Sequence, residues 1–269
     1  SDIAGFVIPL CATIHLSGST LKIVACALAL MMMQGMPFDF PLFAGFIFSR
    51  KSDFTLSATA VLASMTLMVA HLSFMDPEIT NLVPVLKSYW LTLHVSVITG
   101  SYGFLGLGAI LGIVVLVMML FIRQGNRERI SGVIDELTAI NYRTLTLGLY
   151  FLTIGTFLGA IWANESWGRY WGWDPKETWS LITIIVYTLV THSRMMPGMK
   201  DTYIFNLLSL FAFSSVLMTY FGVNYYLSGL HSYAGGDSVP VPVFVYVAAG
   251  VLVSLAAGAG YAYRRELRR

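Results

Sequence analysis

Trp167-Gly168-Arg169-Tyr170-Trp171-Gly172-Trp173-Asp174-Pro175-Lys176-Glu177-Thr178-Trp179 holds four of the six tryptophans in the chain. It joins two apolar segments, about Tyr142 to Ala163 and Lys176 to Met196, each long enough to cross a bilayer, which takes about 20 residues. An aromatic loop between spans sets the fold class as all-α, a polytopic transmembrane helical bundle with tryptophans at one membrane face. Gly168 and Gly172 keep the backbone close, so the cluster reads as a flat aromatic surface for a large planar ligand.

Composition agrees with that class. Of 269 residues, 57% are hydrophobic and 11% charged, and the mean hydropathy is +0.73; soluble domains carry about 25% charged residues. The net charge of +2 is small and the basic residues fall in short loops. That pattern sets topology and excludes nucleic-acid binding as the function. The two cysteines, Cys11 and Cys26, lie in apolar segments without a CxxC pair, and packing is the better reading for both. The chain begins at Ser1, so it reads as processed, as a fragment, or as part of a larger polypeptide.

About eight spans follow from the apolar runs: Ile3 to Leu16, Leu21 to Met36, Phe54 to Phe74, His94 to Ile122, Tyr142 to Ala163, Lys176 to Met196, Tyr203 to Tyr225 and Val241 to Tyr263. Phe40 to Phe48 is apolar but too short to cross alone. Alternate loops carry the positive charge: Arg50 and Lys51; Arg123, Arg127, Arg129 and Arg143; Arg194 and Lys200; Arg264, Arg265, Arg268 and Arg269. The positive-inside rule puts these in the cytoplasm. The outer loops are then Met75 to Leu93, Asn164 to Pro175 and Tyr226 to Pro240. Within the first, Leu86 to Leu93 has helical spacing and reads as a short helix lying along the surface.

Charge therefore places His94, His231 and the tryptophan loop on one face. Neutral imidazole is a common iron ligand, and two can hold a haem from opposite sides. Each histidine alone reads as an ordinary loop residue; their convergence with the aromatic loop favours ligation. Asp174-Pro175-Lys176-Glu177 has the form of a capped helix start, with Glu177 reaching back as in a capping box, and a structural role is the leading reading for Asp174. Arg169 and Lys176 suit either haem propionates or lipid headgroups. Asn164 and Glu165 read as the end of a span. His192 lies about sixteen residues beyond Lys176, roughly 24 Å deeper along a helix. It cannot share an iron with His94, so it marks a second, inner site or an interfacial residue. His15 and His71 read as hydrogen-bonded helix contacts.

Trp167-Gly-Arg-Tyr-Trp171-Gly-Trp173-Asp174 resembles the WWD signature of haem-handling proteins in cytochrome c maturation. Asn81 to Val95, ending Ser-Tyr-Trp-Leu-Thr-Leu-His94-Val, resembles the segment before the first outer histidine of the CcsA (ResC) branch, and Leu230-His231-Ser-Tyr the segment around its second. The resemblance covers about residue 49 to the C-terminus. The Asn-x-Tyr-Glu-Ser-like segment usual after span 2 has no counterpart in Pro37 to Gly45, and the join between Leu16 and Arg50 is short for the family.

The resemblance implies one CcsA-like transmembrane domain over 1–269, with the WWD haem-binding segment at about 164–179. Trp167, Gly168, Arg169, Trp171, Gly172, Trp173 and Asp174 would bind the cofactor, haem b. His94 and His231 would ligate the outer haem iron, and His192 would be the histidine of the inner transmembrane site. The implied partner is CcsB (ResB), a subunit or fused half not contained in this chain. The other partners are apocytochrome c with its CxxCH motif, haem and the lipid bilayer. The implied activity is that of a holocytochrome c synthase (haem lyase), exerted with CcsB in a bacterial inner membrane. Positioning and ligation, rather than acid–base chemistry, would be the protein's contribution. A haem exporter without ligase activity and a b-type di-haem electron carrier are the alternatives.

Overall fold

The computed structural model describes residues 88–231 and 241–267. Spans 1 to 3, with Cys11, Cys26, His15 and His71, lie outside the described residues. So do Leu86 and Lys87.

The described elements are α1 (Tyr89–Leu120), a 3-10 turn (Gln124–Asn126), α2 (Arg127–Trp167), α3 (Pro175–His192), a 3-10 turn (Ser193–Met195), α4 (Thr202–Leu217), a π-helical turn (Met218–Gly222), α5 (Val223–Tyr226) and α6 (Val243–Leu267). All regular structure among the described residues is helical. Four stretches are long and apolar enough to cross a membrane: Tyr89–Leu120, Gln124–Trp167, Thr202–Tyr226 and Val243–Glu266. The chain is a multi-pass membrane protein. α3, expected as span 6, is 18 residues long and falls outside those four. Its buried face carries Glu177, Ser180, Thr183, Tyr187 and Thr191, which lower its hydropathy.

Two boundaries differ from the sequence reading. The surface helix expected up to Leu93 is the first turn of α1, which runs unbroken from Tyr89 through His94. No proline or glycine separates those residues, so the backbone has no reason to stop. The basic loop expected between spans 4 and 5 shrinks to 121–126, because α2 begins at Arg127 and continues for 41 residues. Arg127, Arg129 and Arg143 are helical residues rather than loop residues.

Glycines set how closely α1 and α2 approach. A Cβ on Gly148 would come within 2.7 Å of Leu105, and one on Gly155 within 2.8 Å of Ile98. In lipid, small residues of this kind let helices associate by backbone contact, since no hydrophobic force distinguishes neighbour from solvent. Further along the same stripe of α1, Gly112 packs so tightly on α4 that a Cβ would meet the Asn206 carbonyl at 2.9 Å. A buried polar cluster pins the three helices in register. Asn141 Nδ2 donates to Asn206 Oδ1 (3.1 Å) and Ser209 Oγ (3.0 Å), Asn206 Nδ2 donates to Thr138 Oγ1 (2.9 Å), and Ser209 Oγ donates to the Gly108 carbonyl (2.8 Å). This up-and-down packing gathers the start of α1, the end of α2, the start of α3 and the chain after α5 at one end of the bundle.

Candidate functional site

The start of α3 is fixed by local chemistry. Asp174 is the N-cap, its carboxylate accepting the Lys176 N–H at 3.3 Å, and Pro175 supplies a first turn that needs no N–H donor. Glu177 closes a capping box as expected: its Oε2 accepts the Asp174 N–H at 3.2 Å and also the Gly172 N–H at 2.7 Å. The tryptophan segment is thereby tied to the helix. Gly168 ends α2 in the left-handed conformation at φ 71°, with its N–H on the Asn164 carbonyl at 2.9 Å. Trp173 holds φ 57°, a conformation uncommon for a residue with a side chain.

Asp174 does more than cap. Its Oδ1 accepts the Leu230 N–H at 2.6 Å, and its Oδ2 accepts from His231 Nδ1 at 2.8 Å. Gly229 packs against the same carboxylate, where a Cβ has no room. One side chain thus starts α3 and holds the segment that carries His231. The structural role expected for Asp174 is present, and an orienting role for a histidine comes with it. Burial alone would raise the Asp174 carboxyl, but donors from His231, Leu230 and Lys176 outweigh it and hold it below its usual value. Burial lowers His231 from its usual value, and the Asp174 carboxylate opposes without reversing the shift. At neutral pH the pair is therefore a carboxylate and a neutral imidazole that donates from Nδ1 and keeps its lone pair on Nε2.

His94 reaches the same state by another route. Its Nδ1 lies 2.8 Å from the Gly155 carbonyl, which can only accept, so Nδ1 carries the proton. Gly159, one turn on, makes room for the ring: a Cβ there would sit 2.5 Å from His94 Cε1. His94 is on a helix and only His231 is in a loop, which corrects the expectation of two loop histidines. The capacity of α1 to continue past residue 94 decides this.

Both imidazoles pack against Trp162, 1% exposed. It stacks on His94 with ring centres 6.3 Å apart and planes within 10°, and meets His231 edge-on at 5.6 Å. Trp167 packs against both Trp162 (4.7 Å) and His231 (4.9 Å). The sequence reading missed Trp162. The available signal was its position on the same helix end as Trp167, five residues earlier.

His94, His231, Trp162, Trp171, Lys176 and Glu177 line one cavity of about 300 Å³, which continues past Ile98 and Tyr102. Such a volume is at the lower end of small-molecule sites. The tryptophans do not form one flat surface. Trp171 faces the cavity, while Trp173, at 89° to it, is 70% exposed. The strained turn at Trp173 rotates successive side chains apart. Of the two candidate cations, Lys176 lines the cavity, and its Nζ lies 3.4 Å from the His231 carbonyl. The Arg169 guanidinium instead tucks beneath Gly172, with Nη1 buried and without a hydrogen-bond partner. Glu165 does more than end a span, since it accepts the Ser88 Oγ–H at 2.8 Å and links α2 to α1.

His192 is at the opposite end of the bundle, exposed, in the last turn of α3. Its Nδ1 donates to the Thr188 carbonyl at 2.8 Å, which again leaves Nε2 free.

Residues 5–231 match the family described as cytochrome C assembly protein. The chain belongs to that family. It is 58% identical over 194 residues to Protein NrfI of Wolinella succinogenes, covering 72% of this chain and 21% of that protein. It is 39% identical over 191 residues to the cytochrome c biogenesis protein CcsA of Chlamydomonas reinhardtii, covering 68% of this chain and 54% of the relative. With CcsA of Prochlorococcus marinus it shares 36% over 223 residues, 71% of this chain and 70% of that protein. The chain therefore spans about a fifth of the length of NrfI and about half that of the algal CcsA. Both ends of the cavity lie inside the matched region, since His94, the tryptophan segment and His231 all fall within residues 5–231.

Proposed function

We propose that this cytochrome c assembly chain holds haem b between His94 and His231 and presents it for attachment to apocytochrome c. One observation carries the reading. Two imidazoles line one cavity, and each commits Nδ1–H to an oxygen acceptor, so each offers Nε2 as a ligand. Metal-binding histidines are oriented by this kind of partner. The rest of the cavity suits the macrocycle. Trp162 and Trp171 line it with apolar rings, Trp167 packs behind Trp162 and His231, and Lys176 offers a cation to a propionate. Arg169 supports the turn under Gly172 and is the weaker propionate partner. Trp173 and Asp174 serve the site differently: the exposed indole of Trp173 suits contact with an incoming protein, and Asp174 orients His231.

In this reading the histidine end faces outward, because the basic residues Arg123, Arg127 and Arg194 belong to the opposite end. His192, at that inner end, is a ligand of a second site through which haem enters. Its exposure on the described bundle leaves Nε2 open to a partner helix such as one from CcsB. Haem moves from the inner to the outer histidines. There the two thiols of a CxxCH segment add to its vinyl groups, giving a haem lyase that works with CcsB in a bacterial inner membrane. The b-type electron carrier fits less well, since its paired histidines belong at transmembrane depth whereas His94 and His231 meet at one end.

The test is a visible spectrum of purified protein, wild type beside His94→Ala and His231→Ala. A bis-histidine spectrum that either substitution weakens and added imidazole restores supports the site. A full spectrum in both variants places the haem elsewhere and ends the reading.

A further inference from the structure

Glu177 is the one acidic side chain among the described residues that line the cavity. It is nine-tenths buried, at 9% exposure, and its two oxygens differ. Oε2 is taken by the Gly172 and Asp174 N–H groups. Oε1 is buried with no hydrogen-bond partner among the described residues. Capping α3 needs only Oε2. A buried carboxylate oxygen left alone is costly, so Oε1 is completed by a proton or by a donor that arrives with a ligand. Oε2 already accepts two N–H groups, so Oε1 is the carboxylate oxygen left open to a donor that arrives with a ligand. The charged and titratable groups around it are Asp174 and Lys176 on its own helix end, Arg169 beneath Gly172, Tyr170 in the same loop, His94 from α1, His231 from the chain after α5, and Tyr102 and Tyr220 deeper in the cavity.

Near neutral pH, thiol addition to a vinyl group is assisted by such a group. The S–H bond breaks, sulfur bonds to one vinyl carbon, the C=C π bond opens, and the other carbon takes a proton. Electrons balance within the two reactants. Thiolate, not thiol, is the nucleophile. A base that accepts the thiol proton and returns it to carbon therefore completes the step without consuming anything.

We propose that Glu177 is this base: Oε1 takes the proton of a substrate thiol as sulfur adds to the haem vinyl group, then delivers it to the neighbouring vinyl carbon. The assignment rests on the thioether-forming reading above. It adds proton transfer to a site that the sequence reads as one of ligation and positioning only.

Glu177→Gln separates this role from capping. Glutamine keeps an oxygen for the Gly172 and Asp174 N–H groups and replaces the proton acceptor with an amide NH2. Full-length protein in membranes, supplied with haem and a CxxCH apocytochrome, is assayed for covalent haem between about pH 6.5 and about pH 9. The haem spectrum of the same membranes is recorded alongside. Glu177→Gln retains the haem spectrum and slows thioether formation near pH 7 by at least about 100-fold. The gap narrows as pH passes about 8.5, where the substrate thiol ionises by itself. Glu177→Asp keeps a carboxylate and retains the shallow pH profile of the wild type at a lower rate. Equal rates in wild type and Glu177→Gln overturn the proposal. So does loss of haem in Glu177→Gln, if Glu177→Asp holds haem yet shows a steep rise with pH. A wild type that forms no thioether removes the lyase reading and this assignment with it; a competent wild type matched by Glu177→Gln removes the assignment alone.

Discussion

Replacing Gly159 with alanine adds one methyl group inside α2, about two turns before its end, where alanine is the better helix former by about 1 kcal/mol. The backbone therefore gains, and the penalty falls on one neighbour. The new Cβ would stand 2.5 Å from His94 Cε1, 2.7 Å from Nδ1 and 3.2 Å from Nε2. Carbon atoms in contact settle at about 3.5–4.0 Å, so the imidazole has to retreat by about 1 Å. Trp162 stacks on the same ring, and the Gly155 carbonyl holds Nδ1 at 2.8 Å, so retreat breaks that hydrogen bond. Removing the partner that orients a ligating histidine costs about 10–100-fold in metal affinity. The expected result is protein that folds and purifies at wild-type yield while its haem affinity falls by that factor. The bis-histidine spectrum is weakened, and millimolar imidazole restores it by taking the place of His94. The assay is haem titration of purified protein followed by visible spectroscopy, with thermal unfolding as the control. Unchanged haem affinity with no response to imidazole would refute the argument, since it would mean that His94 does not need its seat against Gly159 to do its work.

Asp174→Ala removes the α3 cap and the anchor of His231 together, lowering stability by about 1–3 kcal/mol and weakening haem binding; Asp174→Asn keeps the cap but offers one acceptor oxygen to the Leu230 and His231 donors, so it recovers only part of the stability. Thermal midpoints and haem spectra of the pair check this, and equal losses in both variants contradict it. Stability also depends on pH with a determined sign. The folded state holds His231 below its usual value, so an unfolded chain binds more protons beneath about pH 6.5. Stability is complete above that pH and falls as pH drops through the folded value of His231. Asp174, also held low, adds a further loss only below about pH 4. Melting of haem-free protein between about pH 8 and about pH 5 should show this fall, and a maximum at the acid end would count against it. In the core, Asn206→Leu strips the partners from Asn141 and Thr138 and lowers stability by about 1–3 kcal/mol without altering the haem spectrum. A changed spectrum with unchanged melting would show that the polar cluster serves the site rather than the helix register.

The chain states some of this in advance because the chemistry is local. A cap at Asp174 with Glu177 three residues on is written in adjacent residues, and the structure has the capping box where that spacing puts it. The membrane class follows from hydropathy alone, and the family from motifs within residues 5–231. Helix continuity was less legible. Residues 86–94 carry a helical pattern that periodicity alone cannot divide between a surface helix and the first turns of a span, and α1 runs unbroken from Tyr89 through His94.

What only the tertiary structure decides is which groups meet. His94 finds its acceptor 61 residues away at the Gly155 carbonyl, and His231 finds its own 57 residues away at Asp174. Neither pairing leaves a trace in local periodicity, because glycine contacts between α1 and α2 bring the first together and a hydrogen-bonded loop end the second. Trp162 looks like any interfacial tryptophan until those helices pack and set it against two imidazoles. Composition and capping set the class of molecule and where α3 starts. The state of each histidine, with its proton on Nδ1 and its lone pair on Nε2, is set by partners that only packing supplies.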